Sequence, residues 1–206
     1  MPFVRIFITV FLLLAALDAN AHGQSTPGST SGTPIPSLSH GEMAIVAQYR
    51  SRILALAGQV KQTDPTFRIL LNFSAIQYSY CLWGVAPGAI SDEESPFNEC
   101  AHAYLSAAKA LLFHMRSMPG MADKADPLIS EIDAEVVRKG AAFIGCQYSG
   151  ESFNTANFIR PHWENLTRHR PSLYALGAII LLLVSPVLIR LSIAARTRVS
   201  GRRMLD

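Results

Sequence analysis

The sequence predicts an all-α protein: an exported up-down bundle of about four helices, preceded by a cleaved N-terminal signal peptide and held by one C-terminal transmembrane helix. Three observations carry this. Apolar side chains through residues 39–167 recur in steps of three and four, the spacing of a single helical face. No alternating apolar and polar run marks a strand. Leu173 to Ile189 is a stretch of seventeen residues without a charge.

Residues 1–21 have the layout of a secretory signal. Arg5 supplies a thin positive region, Ile6 to Leu17 is a short apolar run, and Ala19-Asn20-Ala21 is a small-residue cleavage site. An uncleaved first membrane helix is the competing reading, for which the run is short. Either way residues 40–165 are expected outside the cytoplasm. Cleavage would make His22 the first residue, and an amine beside an imidazole is a chelate that suits copper. Residues 22–38 are rich in Gly, Ser, Thr and Pro and lack Asp, Glu, Lys and Arg, the composition of a flexible linker.

Residues 39–167 form the expected extracytoplasmic domain, long enough for one core. The net charge of +3 for the 206-residue chain hides an uneven distribution. Between His40 and Asn165 there are ten Lys and Arg against thirteen Asp and Glu, a net of −3. No basic face is available, which argues against nucleic acid as a partner. Ser39-His40-Gly41-Glu42 is a capping box that opens the first helix, with Val46, Tyr49, Ile53, Leu56 and Val60 as its apolar stripe. Asp64-Pro65 opens the second helix, whose stripe reads Ile69, Phe73, Ile76, Tyr80 and Trp83. Ser95-Pro96 opens the third in the same way, with Phe97, Ala101, Tyr104, Ala108, Leu111, Met115 and Met118 on one face, and Pro119-Gly120 stops it. Asp126-Pro127 opens the fourth, with Ile129, Ile132, Val136, Gly140 and Phe143 in its stripe and Gly150 at its end.

Cys81, Cys100 and Cys146 all fall in the exported part, where disulfides persist. In an up-down bundle they share one end. Any pair is then able to bridge, leaving one thiol over. Cys81–Cys100 is favoured as a staple on the hairpin of helices two and three.

The most unusual local string is His114-Met115-Arg116-Ser117-Met118-Pro119-Gly120-Met121. A histidine with Met115, Met118 and Met121 offers soft ligands of the kind that hold Cu(I). Met115 and Met118 also lie on the core stripe of helix three, where methionine commonly fills gaps. Cys100-Ala101-His102 is a poor ligand pair, since residues two apart on a helix diverge. Trp163 beside His162 and Glu164 marks the approach to a membrane interface. The chain carries no nucleophile elbow, zinc-protease, phosphate-loop, dinucleotide or EF-hand motif.

Residues 172–195 are the expected transmembrane helix, through which the chain contacts the lipid bilayer. The length suffices if Arg190 snorkels to an interface, and a membrane helix tolerates Pro186 with a kink. Arg196, Arg198, Arg202 and Arg203 follow the span, which makes residues 196–206 a basic cytoplasmic tail. The expected role is that of a non-enzymatic interaction or accessory component of an envelope, secretion or transfer complex, or of an immunity-type protein, with a protein partner or self-association. No resident cofactor is expected. Two alternatives stand beside it. One is an extracytoplasmic copper-binding protein using His114, Met115, Met118 and Met121. The other is a membrane-tethered hydrolase in which Glu99, His102 and Tyr104 converge with residues of other helices.

Overall fold

The computed structural model describes residues 32–202. The signal peptide, His22, the first part of the linker and residues 203–206 lie outside the described residues. Within them the chain is all-α, with five α-helices and a single two-residue ladder.

Helix α1, His40–Ala57, starts on the capping box read from the sequence. Ser39 Oγ accepts from the Glu42 backbone N–H at 3.1 Å, and a Glu42 carboxylate oxygen accepts from the Ser39 N–H at 3.0 Å. Two orphan donors of the first turn are thereby satisfied. Val46, Ile53 and Leu56 of the expected stripe are buried.

Helix α2, Pro65–Tyr80, begins on Asp64, whose side chain accepts from the Phe67 N–H at 2.8 Å. Its buried face is not the one expected. Phe67, Leu70, Phe73, Ser74 and Gln77 point inward, while Ile69, Ile76, Tyr80 and Trp83 are exposed. The helix has apolar residues on two faces. The face that wins leads to Cys81 and includes Gln77, whose buried amide donates to Ile159 O at 2.7 Å and accepts from Ile159 N–H at 3.0 Å. A polar residue that is fully paired costs little to bury, so the inward face reads as less apolar than it is. The helix ends in a tight turn where Leu82 and Trp83 both take positive φ, 50° and 53°.

Helix α3 is Asn98–Arg116. The expected Ser95-Pro96 start is corrected: these residues close a turn before the helix. Ser95 Oγ donates to Pro87 O at 3.2 Å, and Pro96 O accepts from the His162 N–H at 2.8 Å. Helix α4, Ala122–Arg138, starts four residues ahead of the expected Asp126-Pro127. Pro127 sits inside it as the sixth residue, past the unpaired N–H groups of the first turn, so the helix runs on without the one bond that a residue there would make to the Asp123 carbonyl. The left-handed Gly140, φ 59°, ends α4, so Gly140 and Phe143 leave the stripe and Phe143 is exposed in a 3-10 turn.

The core is built around α3, which packs on α1, α2 and α4, while α1 also packs on α4. Ala101, Ala103, Leu105, Ala107, Leu111, Leu112 and Met115 of α3 are fully enclosed. Lys109 of α3 donates to the Glu42 carboxylate at 2.9 Å, which ties the capping box to the centre of the domain. Burial alone would raise the Glu42 pKa. The Ser39 N–H and the Lys109 ammonium outweigh it, and the net shift is downward. Strand β1, Pro34–Ile35, pairs antiparallel with β2, Phe153–Asn154. Ile35 and Leu38 are buried, so the last residues of the expected linker belong to the domain core.

A disulfide joins Cys81 to Cys100, the pairing favoured among the three, and Cys146 keeps a free thiol. Helix α5 runs Arg170–Arg202, continuous through Pro186 and into the expected tail. It is the one helix among the described residues long and apolar enough to cross a membrane, and most of its apolar window has no protein cover. Its root is buried. His169 Nε2 lies 3.1 Å from Asp92 Oδ2 and its Nδ1 lies 2.6 Å from Ser172 Oγ.

Candidate functional site

His102 stands in the first turns of α3, at the centre of the domain, and its side chain is completely enclosed. Its Nε2 lies 3.2 Å from Cys146 Sγ. Its Nδ1 has no hydrogen-bond partner. The first residue of α1 lies against it, with the His40 ring centroid 5.9 Å from that of His102. His40 Nδ1 is likewise buried without a partner. One ligating atom from each of His40, His102 and Cys146 lies within 4.8 Å of the other two.

The frame around this cluster is made of local rules. His40 is brought in because the capping box fixes where α1 begins. Cys146 is brought in by the segment after α4, which folds back along the start of α1. There the Gly41 N–H donates to Ile144 O at 3.0 Å and Ser39 Oγ donates to Ala141 O at 3.0 Å. Ser149 Oγ accepts from the backbone N–H of His40 at 3.1 Å and from that of Cys146 at 2.8 Å. A single hydroxyl thus holds two of the three residues in place. Asn98 Oδ1 lies 3.9 Å from the thiol.

Burial is the main reason the His102 imidazolium is disfavoured, with the His40 charge second, and its pKa falls to about 4. The ring is therefore neutral at physiological pH. A neutral imidazole has one N–H, so whichever tautomer His102 adopts, its buried Nδ1 remains an unmet donor or acceptor, a cost of about 1–3 kcal/mol. The His102 ring, a second imidazole from His40 and the sulfur of Cys146 form a donor set for a soft or borderline metal. They do not form a catalytic triad, because nothing orients the far nitrogen of His102.

A second polar group lies beside the first. Tyr148 stacks on the His162 ring with centroids 6.1 Å apart, and its ring is 6.3 Å from that of His102. His162 Nε2 pairs with Glu99, and Nδ1 pairs with Glu164 at 3.0 Å. The hydrogen bond to Glu99, helped by Glu164, raises the His162 pKa against some burial. Burial, with Glu99 second, also raises the Tyr148 phenol.

Of the residues singled out from the sequence, His102 and Cys146 fall in this cluster and the others go elsewhere. Met115, Met118 and Met121 are buried in the main core, and the His114 ring faces Asp64, with Nε2 2.8 Å from Oδ2 and 3.0 Å from Oδ1. Asp64 is held below the usual carboxylate range, first by the Phe67 N–H and then by His114. Glu99 pairs with His162, not with His102. Tyr104 is buried between Arg50 and Tyr78, and burial pushes its phenol up to about 12. His40 and Cys146 escaped the sequence reading as ligands. His40 reads as part of a cap, Cys146 reads as a leftover thiol, and no short spacing links them.

The described chain is thus a mostly helical domain with one disulfide, one apolar helix leading out of it, and a Cys-His-His cluster whose central histidine is buried. It matches no family model, no curated protein and no solved structure.

Proposed function

We propose that the chain is a single-pass envelope protein. Its helical domain, with α3 inside and α1, α2 and α4 packed around it as a bundle, works outside the cytoplasm as a non-enzymatic holder of a protein partner or of a second copy. The observation that carries this reading is α5. It leaves the domain from a buried root and presents an apolar surface with no protein cover, and a helix of that kind needs lipid or other helices around it. The run of arginines at its far end favours a cytoplasmic tail.

Support for a partner comes from α2. Ile69, Ile76 and Tyr80 form an exposed strip that continues to Trp83, itself 60% exposed in a left-handed turn. Two non-glycine residues in that conformation cost roughly 1–2 kcal/mol each, and strain of this sort persists where it positions a side chain for use. A large exposed aromatic at the end of an apolar strip is the anchor type that interfaces use.

The test has two parts. Protease added to intact spheroplasts is expected to digest residues 32–169 and leave a tag after Asp206 protected; a protected domain overturns the topology. Purification in mild detergent is expected to yield a stoichiometric partner or a dimer that is lost in an Ile76→Asp, Trp83→Asp double variant. A monomer that retains no partner, or an assembly indifferent to the substitutions, overturns the interaction reading.

A further inference from the structure

Independently of the tethering role, we propose that His40, His102 and Cys146 form a binding site for one soft or borderline transition-metal cation, Zn(II) or Cu(I). The donors are of the right type. Thiolate selects zinc and copper(I) over magnesium and calcium, and imidazole suits both. The spacing is close to what such a cation needs. With a metal–sulfur distance of about 2.3 Å and a metal–nitrogen distance of about 2.1 Å, tetrahedral geometry places N and S about 3.6 Å apart. His102 Nε2 and Cys146 Sγ stand 3.2 Å apart, and the third donor lies within 4.8 Å of both.

The second observation is the unmet hydrogen bonding. His102 is fully enclosed, and yet its Nδ1 and that of His40 have no partner. Buried polar atoms are nearly always paired, and clusters of exceptions point to a missing ion or water. A cation bound by His102 Nε2 and Cys146 Sγ gives His40, whose Nδ1 is buried and unpaired, an electron-pair acceptor within reach; the His102 Nδ1, on the far side of its ring, is not relieved by it. The Ser149 hydroxyl that holds the backbone of both His40 and Cys146 also lies 3.6 Å from the sulfur. Supporting bonds of this kind fix ligands before a metal arrives. Cys146 is only partly buried, which leaves a path from solvent. On binding, the thiol proton leaves to solvent and no electron changes hands.

The experiment uses the full chain in mild detergent after chelator treatment. Co(II) is titrated as a spectroscopic stand-in for zinc, Zn(II) is then used to displace it, and Cu(I) is titrated anaerobically against a chromophoric chelator. One equivalent is expected to saturate the protein, with a sulfur-to-cobalt charge-transfer band. Whichever of Zn(II) and Cu(I) binds tighter assigns the metal. Cys146→Ser should abolish the band, and His40→Ala should weaken binding by about 10- to 100-fold, both with unchanged circular dichroism. His114→Ala, at the other candidate position, should leave affinity unchanged. Bound metal should also slow alkylation of Cys146, the one thiol outside the disulfide, by at least about tenfold. Absence of saturable one-to-one binding for all three cations overturns the proposal. So does affinity that survives both Cys146→Ser and His40→Ala, or affinity that is lost in His114→Ala.

Discussion

Gly41 has no room for a methyl group. A Cβ built there would lie 2.3 Å from the Ala141 carbonyl oxygen and 2.9 Å from Ala141 Cα. These are backbone atoms, so rotation of a side chain cannot relieve the clash. In a free helix alanine is worth about 1 kcal/mol over glycine. Overpacking against fixed backbone costs about 1–3 kcal/mol, and here it wins. Gly41→Ala is therefore expected to lower stability by up to about 2 kcal/mol net in urea unfolding; a gain in stability would show that the 141–149 segment gives way freely. His162 provides a residue-scale test in pH. It is faced by Glu99 and Glu164, with Tyr148 on its ring and Glu151 near enough to favour its charge. Its folded pKa lies above the usual histidine value. The stabilisation is therefore complete below about pH 6.5 and is lost as pH rises through the higher folded value. The melting temperature of His162→Gln should fall below that of the parent near pH 5 and converge with it near pH 9. A gap that is constant with pH would assign His162 a packing role alone.

At the scale of elements, the start of α1 carries more than helix propensity. Ser39 caps α1 and its hydroxyl also donates to Ala141 O, so the cap and the seat of the 141–149 segment are one group. Ser39→Ala should cost about 1.5–2 kcal/mol, the upper part of the range for caps, because two bonds are lost. Thermal unfolding of the variant measures it, and an effect under about 0.3 kcal/mol would mean water replaces both bonds. Caps were also the most legible feature of the sequence. Ser39 and Asp64 open α1 and α2 as read, because a side-chain oxygen three residues ahead of a free N–H is a local relation. Ser95-Pro96 and Asp126-Pro127 have the same composition and a different fate, because a Pro after a small polar residue suits a turn or the early part of a helix equally well. The face of α2 was not legible. Two apolar stripes compete on it, and the winner is chosen by Cys81, Cys100 and the paired amide of Gln77, which are tertiary facts. The Cys-His-His cluster was hidden for the same reason. His102 and Cys146 are 44 residues apart, and His40 lies on a third segment.

For the whole molecule, the connection between domain and α5 decides whether the chain acts as one body. Arg168 is exposed, while His169 is 3% exposed and bridges Asp92 to Ser172. The seat is built tightly. Gly88 takes φ 71°, and a Cβ there would meet Asp92 Cβ at 2.9 Å and His169 Nε2 at 3.3 Å. Arg168 and Arg170 stand beside the root of the apolar helix, yet it is a buried histidine, not an arginine, that makes the attachment. Removing that ring leaves a cavity and takes the partner from Asp92 Oδ2, while Oδ1 keeps the Glu94 N–H, so the root should open more often while the core stays folded. Trypsin reads this directly, because it can cut after exposed Arg168 but not between Arg170 and Pro171. In His169→Ala, cleavage after Arg168 should be about tenfold faster, equivalent to about 1.4 kcal/mol of lost local stability. The released domain should keep its helical circular dichroism and the Cys81–Cys100 bridge. Asp92→Asn should show a smaller increase, since an amide still offers the ring one oxygen. If His169→Ala is cut no faster than the parent, the root is held by α5 packing alone. If the released domain unfolds, α5 supports the domain core as well as anchoring it.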